Sequence, residues 1–199
     1  MTIAAPEQEL ILRPPITERL PLEKIFPTQQ PLEIEIGAGD GSFLVAYAKA
    51  HPELNIVGLE RLLGRLRKIE RKSRRLGLQN VRLLRLEAAY FVQYMLPPAS
   101  VQAFHIYFPD PWPKRRHWKN RLINDAFTVS LHTALKAGGI VYLRTDDLPY
   151  FAQMTEVFGR NANFEKIETP AELLAIVTDF ERNFHLRGVA TNHATYRKR

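Results

Sequence analysis

From residue 32 onward the chain alternates short apolar runs with longer segments in which apolar residues recur every three or four positions. Five runs read as strands: Leu32 to Ile36, Ile56 to Leu59, Val81 to Leu86, Val101 to Phe108 and Ile140 to Leu143. Between them, Gly41 to Ala50, Leu62 to Leu76, Ala88 to Leu96, Leu122 to Lys136 and Pro149 to Arg160 have the length and spacing of helices, and Gly138-Gly139 gives a stop before the fifth strand. Strands alternating with helices through short links predict a single α/β domain, with a mostly parallel sheet and helices on both faces. After Thr169 the pattern changes: Ala171 to His185 reads as helix, and Val189 to Tyr196 as a late strand forming an antiparallel edge. Residues 1–30 hold five of the 14 prolines (Pro6, Pro14, Pro15, Pro21, Pro27) and no sustained period. They predict an irregular arm with a mobile tip, leading into a domain at 31–199.

Composition narrows the chemistry. A chain of 199 residues with 45% hydrophobic content suits one domain with a substantial core. Lys and Arg number 28 against 21 Asp and Glu, and the resulting +7 favours a polyanionic partner. The absence of cysteine excludes disulfides, thiolate nucleophiles, Cys-ligated zinc and iron–sulfur clusters. The six histidines show no ligand spacing, so no metal is expected. No apolar run approaches the roughly 20 residues of a membrane span. Glu7 and Glu9 stand where a signal peptide would need cationic and then apolar residues. A cytoplasmic location without a membrane partner is the expectation, and monomer and homodimer both stay open.

Chemistry collects at the predicted strand ends. Leu32 to Ile36 runs straight into Gly37-Ala38-Gly39-Asp40-Gly41, a glycine turn at the edge where open α/β sheets bind ligands. The Gly-x-Gly-x-Gly spacing differs from the dinucleotide fingerprint Gly-x-Gly-x-x-Gly. Glu35, just before the turn, disfavours a pyrophosphate and favours a cation such as a sulfonium cofactor bearing an ammonium group. Glu60 ends the second strand, placed to accept from ribose hydroxyls, and Glu87 ends the third, beside an adenine. Taken alone, the turn is also compatible with a simple chain reversal.

The fourth strand leads into Pro109-Asp110-Pro111-Trp112-Pro113-Lys114-Arg115-Arg116-His117-Trp118-Lys119-Asn120-Arg121. Three prolines in five residues forbid helix and central strand, so the loop is extended and stiff. Rigidity suits a loop that holds a reacting base. Asp110 is set to accept hydrogen bonds from such a base. Trp112 and Trp118 either stack on it or pack beneath the loop. Lys114, Arg115, Arg116, Lys119 and Arg121, with His117, offer contacts to phosphates. A solvated surface run with a buried Trp is the plainer alternative.

The segments Glu-Ile-Gly-Ala-Gly-Asp-Gly (35–41) and Phe-Pro-Asp-Pro-Trp-Pro-Lys-Arg-Arg-His (108–117) resemble the bacterial tRNA (guanine-N7-)-methyltransferase family over about residues 31–185. The resemblance implies a Rossmann-like class I methyltransferase domain that uses S-adenosylmethionine and acts on tRNA. It implies that Glu35, Glu60, Glu87 and Asp110, with the turn glycines Gly37 and Gly39, bind the cofactor, and that Asp110 is catalytic. Lys114 and Asp146 match substrate-contacting positions, and Thr178-Asp179-Phe180-Glu181 resembles the family's Thr-x-Phe-Glu motif, which also contacts substrate. Glu87 stands where the family more often has Asp.

N7 of guanine carries a lone pair and no proton, so its methylation needs alignment more than a strong base. A fixed Asp110 carboxylate would stabilise the positive charge that develops on the purine. In the second predicted helix Leu62, Leu66, Ile69 and Leu76 form an apolar stripe, and Arg71 and Arg74 lie among the cations crowding its other faces. Those cations read equally as RNA-backbone contacts or as a solvated surface. Phe151, Phe158 and Phe164 read as core. Three alternatives differ in class: an exocyclic-amine RNA methyltransferase, a nicotinamide oxidoreductase, and an RNA-binding module with a vestigial cofactor site.

Overall fold

The computed structural model describes residues 9–199; the tip of the arm, for which mobility is expected, lies outside them. In chain order the elements are β1 (Ile11–Leu12), α1 (Leu22–Ile25), β2 (Leu32–Ile36), α2 (Ser42–Ala50), β3 (Asn55–Leu59), α3 (Leu63–Arg75), β4 (Val81–Leu84), α4 (Ala88–Tyr90), β5 (Val101–Tyr107), α5 (Asp125–Ala134), β6 (Leu135–Thr145), α6 (Leu148–Arg160), β7 (Phe164–Ile167), α7 (Ala171–Ala175), α8 (Asp179–His185) and β8 (Asn192–Lys198). A π-helical turn at Phe91–Met95 continues α4, and a 3₁₀ turn at Arg115–Asn120 precedes α5.

The strands form one sheet in the order β1-β4-β3-β2-β5-β6-β8-β7. Strands β2, β3, β4, β5 and β6 pair in parallel, with β2 between β3 and β5. Successive connections therefore move one way from β2 and then reverse to β5, which opens a crevice at the carboxyl ends of these two strands. Every residue of β2, β3 and β4 is buried, as central strands covered on both faces require. Phe43, Leu44, Leu66 and Ile69 pack on one face, and Phe91, Phe127, Leu131, Met154 and Phe158 on the other. Phe158 and Phe164 are core residues, and Phe151 packs against the same cluster.

The expected antiparallel edge is present. Strand β8 runs against both β6 and β7, and β7, for which the sequence raised no expectation, lies outside it. Three expectations need correcting. Residues 9–30 are not wholly irregular: β1 pairs with β4, Leu10, Leu20 and Phe26 are buried, and Arg82 donates to the Ile25 carbonyl at 2.5 Å. The predicted helix from Ala171 to His185 is broken between α7 and α8, because Thr178 accepts from the Glu181 N–H and Glu181 reaches back to the Thr178 N–H, a reciprocal cap that starts a new helix. The buried stripe of α3 is Leu66, Ile69 and Ser73, while Leu62 and Leu76 at the helix ends are exposed. Among the described residues no helix is long and apolar enough to cross a membrane.

Candidate active site

A cavity of about 650 Å³ opens over the ends of β2, β3 and β5, and the residues at five successive strand ends reach it: Glu35, Glu60, Glu87, Asp110 and Asp146. The glycine turn forms one wall. Gly37, Gly39 and Gly41 all have left-handed φ values, between 56° and 80°. Gly37 lines the cavity with nothing within 4 Å of where a Cβ would stand, so its bare backbone leaves the space open. At Gly41 a Cβ would come within 2.7 Å of Ile69, so that glycine serves the packing of α3 on the turn.

Two carboxylates are placed very differently around this turn. Glu60, buried, accepts from the Gly39 N–H at 3.0 Å and the Leu62 N–H at 2.8 Å, which ties the turn to β3 and leaves its remaining lone pairs at the cavity wall. Glu35 is 4% exposed, and its Oε2 has no hydrogen-bond partner. Burial pushes the Glu35 carboxyl up to about 8, with Arg144 opposing and Asp40 and Glu60 adding to the rise. A buried acceptor without a donor is costly, and a cationic group entering the cavity supplies the missing donor. The residues thus fit a cofactor carrying an ammonium group. Asp40, also at the cavity wall, is held by Lys72 at 2.9 Å and Lys68 at 3.3 Å. Glu87 lines the cavity and accepts from the Ala89 and Tyr90 N–H groups as the cap of α4, two backbone donors as at Glu60.

The proline loop forms the opposite wall. Phe108, Pro109, Asp110, Pro111 and Trp112 all line the cavity, and Asp110 is exposed to it. Phe108 and Trp112, on either side of Asp110, have φ of 51° and 47°. Left-handed backbone at bulky residues costs about 1–3 kcal/mol each and persists only where surrounding contacts impose it. Trp112 is a cavity residue with its edge toward His117, whereas Trp118 packs against the Arg121 guanidinium.

A flap from α7 and α8 closes the third side, with Thr178, Phe180 and Phe184 at the cavity. Phe180 stacks on Phe108 at 6.2 Å, and the Asp179 N–H donates to Ser42 Oγ at 3.1 Å. Glu181, expected to contact substrate, is instead buried and pairs with Arg144 at 2.9 Å. The Thr178 side chain is likewise engaged, as the cap of α8. Asp179 pairs with Arg182 outside the cavity, and Phe180 is the member of the motif most open to a ligand. Arg144 is the important residue that sequence reasoning missed. It also donates to the Leu173 and Ile176 carbonyls and lies 4.2 Å over the Tyr107 ring. The available signal was an arginine directly after the apolar run Ile140 to Leu143, inside a strand rather than beyond it.

Residues 29–194 match a family model described as a putative methyltransferase. A tRNA (guanine-N(7)-)-methyltransferase from Rubrobacter xylanophilus is 36% identical over 75% of this chain and 68% of its own length. Another, from Alkalilimnicola ehrlichii, is 33% identical over 94% of this chain and 81% of its own. The chain belongs to the tRNA (guanine-N(7)-)-methyltransferase family. A member from Thermotoga maritima is 33% identical over 93% of the chain, which spans only 56% of that longer protein. Among solved structures, the 16S rRNA methyltransferase KamB superposes with a TM-score of 0.65 at 14% identity, covering 88% of this chain and 91% of KamB, a likeness of fold. The 30S ribosomal A1408 methyltransferase from an uncultured bacterium gives 0.61 at 18% identity, over 89% and 92%.

In this member of the tRNA (guanine-N(7)-)-methyltransferase family, cations flank the cavity on two sides. Lys114, Arg115, Arg116 and Lys119 are exposed, and His117 is half-buried against Trp112. On α3, Arg71 is exposed and Arg74 pairs with Glu70 at 3.2 Å; Arg65 of the same helix and Arg61, which precedes it, reach the cavity itself. Arg121 departs from its expected place facing phosphate. It is 2% exposed, and its guanidinium is held inside the protein. Among the described residues no three His, Asp or Glu side chains gather into a metal-binding set.

Proposed function

We propose that this chain transfers a methyl group from S-adenosylmethionine to N7 of a guanine in tRNA, in the cytoplasm. The observation that carries this reading is the pairing, in one cavity, of a buried Glu35 carboxyl whose Oε2 lacks a hydrogen-bond partner with a carboxylate at Asp110 on a stiff, strained loop. When bound in this cavity, S-adenosylmethionine would supply an electrophilic methyl group for the N7 lone pair, the carbon–sulfur bonding pair leaving with sulfur. Glu35 would hold the ammonium end, and Glu60, fixed by two backbone amides, would accept from the ribose hydroxyls. No proton has to leave N7. Asp110 therefore acts as an acceptor for the guanine edge and as a fixed negative charge beside a purine that becomes cationic. Its loop holds that charge in place before the reaction, so little reorganisation is needed. Trp112 offers a flat face to the base, and the exposed cations from Lys114 to Lys119 meet tRNA phosphates.

Incubation with methyl-labelled S-adenosylmethionine and unmodified tRNA, followed by strand cleavage selective for N7-methylguanosine, tests the reaction. Cleavage at one guanosine is the expected result. Label recovered in an exocyclic amine, or no transfer, would reject it. Asp110→Asn should keep the fold and cofactor affinity while single-turnover rate falls at least 100-fold, about 2.7 kcal/mol at the barrier. An unchanged single-turnover rate would remove Asp110 from the mechanism.

A further inference from the structure

Arg121 lies in a run of cations by sequence but in the interior by structure. Its neighbours Arg115, Arg116 and Lys119 are exposed, whereas Arg121 is 2% exposed. The guanidinium is sandwiched between two rings, 4.5 Å from the Trp118 centroid and 4.7 Å from that of Tyr150. Nε donates to the Pro111 carbonyl at 2.7 Å and Nη1 to Gln153 Oε1 at 2.6 Å, while Nη2 lies 3.9 Å from Asp147. The far ends of these contacts are themselves fixed. Asp147 caps α6 by accepting from the Tyr150 N–H at 2.7 Å, and the Tyr150 hydroxyl accepts from the Ile123 N–H at 3.0 Å.

One planar group therefore links the loop at 109–113 to the start of α6. Pro111 has no N–H, so its carbonyl is the backbone group through which that residue can be held. It follows Asp110 directly, between the two left-handed residues Phe108 and Trp112. A fork of donors that is always charged suits such a task, because it holds several acceptors in one plane at once.

We infer that Arg121 is a positioning residue for methyl transfer: its guanidinium fixes the Pro111 carbonyl and so the place of the Asp110 carboxylate, and it contacts no tRNA phosphate. This rests on the reading of Asp110 as the carboxylate that faces the guanine. Arg121→Gln and the milder Gln153→Leu, which removes one anchor, test it, with Arg121→Lys as the conservative variant.

At saturating tRNA and cofactor, Arg121→Gln lowers the single-turnover rate at least tenfold. The slope of log tRNA affinity against log salt stays at the wild-type value, because no phosphate contact is lost. Gln153→Leu gives a smaller loss of the same kind, and Arg121→Lys, still a donor to Pro111, recovers part of the rate. The protein's two tryptophans, Trp112 and Trp118, both lie in this region. Their emission reports its geometry without reference to activity: Arg121→Gln increases acrylamide quenching while far-ultraviolet circular dichroism is retained. A salt slope reduced by about one with an unchanged rate at saturation would overturn the inference and restore a phosphate contact. So would unaltered quenching and rate in a folded variant. Failure of the methylation reading is separate, since it appears as an inactive wild-type protein.

Discussion

At the scale of single residues, the cavity is governed by carboxylates in unlike surroundings. Glu35 has an ordinary value of 4.5 raised to about 8 by burial, so the free protein holds its proton at pH 7. A cation beside Oε2 favours the ionised form. Binding of S-adenosylmethionine at pH 7 is expected to release close to one proton, and affinity should rise with pH up to about 8, where an α-ammonium itself begins to deprotonate. Calorimetry in buffers of different ionisation enthalpy measures this directly, and Glu35→Gln should abolish the proton release. In the free protein the same group makes folding stability decline as pH rises from 4.5 toward about 8, because the folded state binds the proton more tightly than the unfolded chain. Glu35 and Glu60 were legible in sequence because periodicity locates strand ends, and strand ends locate the cavity. The engagement of Glu87 as a helix cap, and of Arg121 between Trp118 and Tyr150, was not. An arginine in a basic run reads as solvated until partners distant in sequence, here Asp147, Tyr150 and Gln153, are brought around it.

At the scale of elements, the flap over the cavity is held by a buried ion pair together with apolar packing of Leu173 and Ile176. Helices α7 and α8 are five and seven residues long, too short to be stable alone. Arg144 anchors both, through the Leu173 and Ile176 carbonyls and the Glu181 carboxylate. Removing one partner of a buried pair leaves the other charge uncompensated. Glu181→Gln should therefore lower stability by about 3–5 kcal/mol in urea unfolding. If Glu181 met substrate instead, stability would hold and tRNA affinity would fall. The periodicity of 171–185 predicted one helix because Thr178 and Glu181 both tolerate a helical position. The cap between them is decided by the buried arginine below. In the same way β7 escaped notice, because Phe164–Ile167 is short and, among the described residues, has β8 as its only partner strand.

At the scale of the whole molecule, the parallel sheet and its crevice follow from the order of apolar runs, whereas the outer rim does not. Strand β8 pairs with β6 from Ile140 opposite Arg197 to Thr145 opposite Asn192, and among the described residues β7 joins the sheet only through β8. Deleting residues 192–199 should strip β7 from the sheet and bare the edge of β6, giving a protein that aggregates on expression. Light scattering of the truncated and full chains checks this. The same arrangement sets a timetable for synthesis. While the chain is being made, the strands from β1 to β6 are available for pairing, but β7 has nothing to join until residues 192–198 emerge. Until then the nascent protein carries an open sheet edge at β6, and β8 is the strand that covers it. Protease protection of β7 in stalled nascent chains should accordingly appear only once residue 198 has cleared the tunnel.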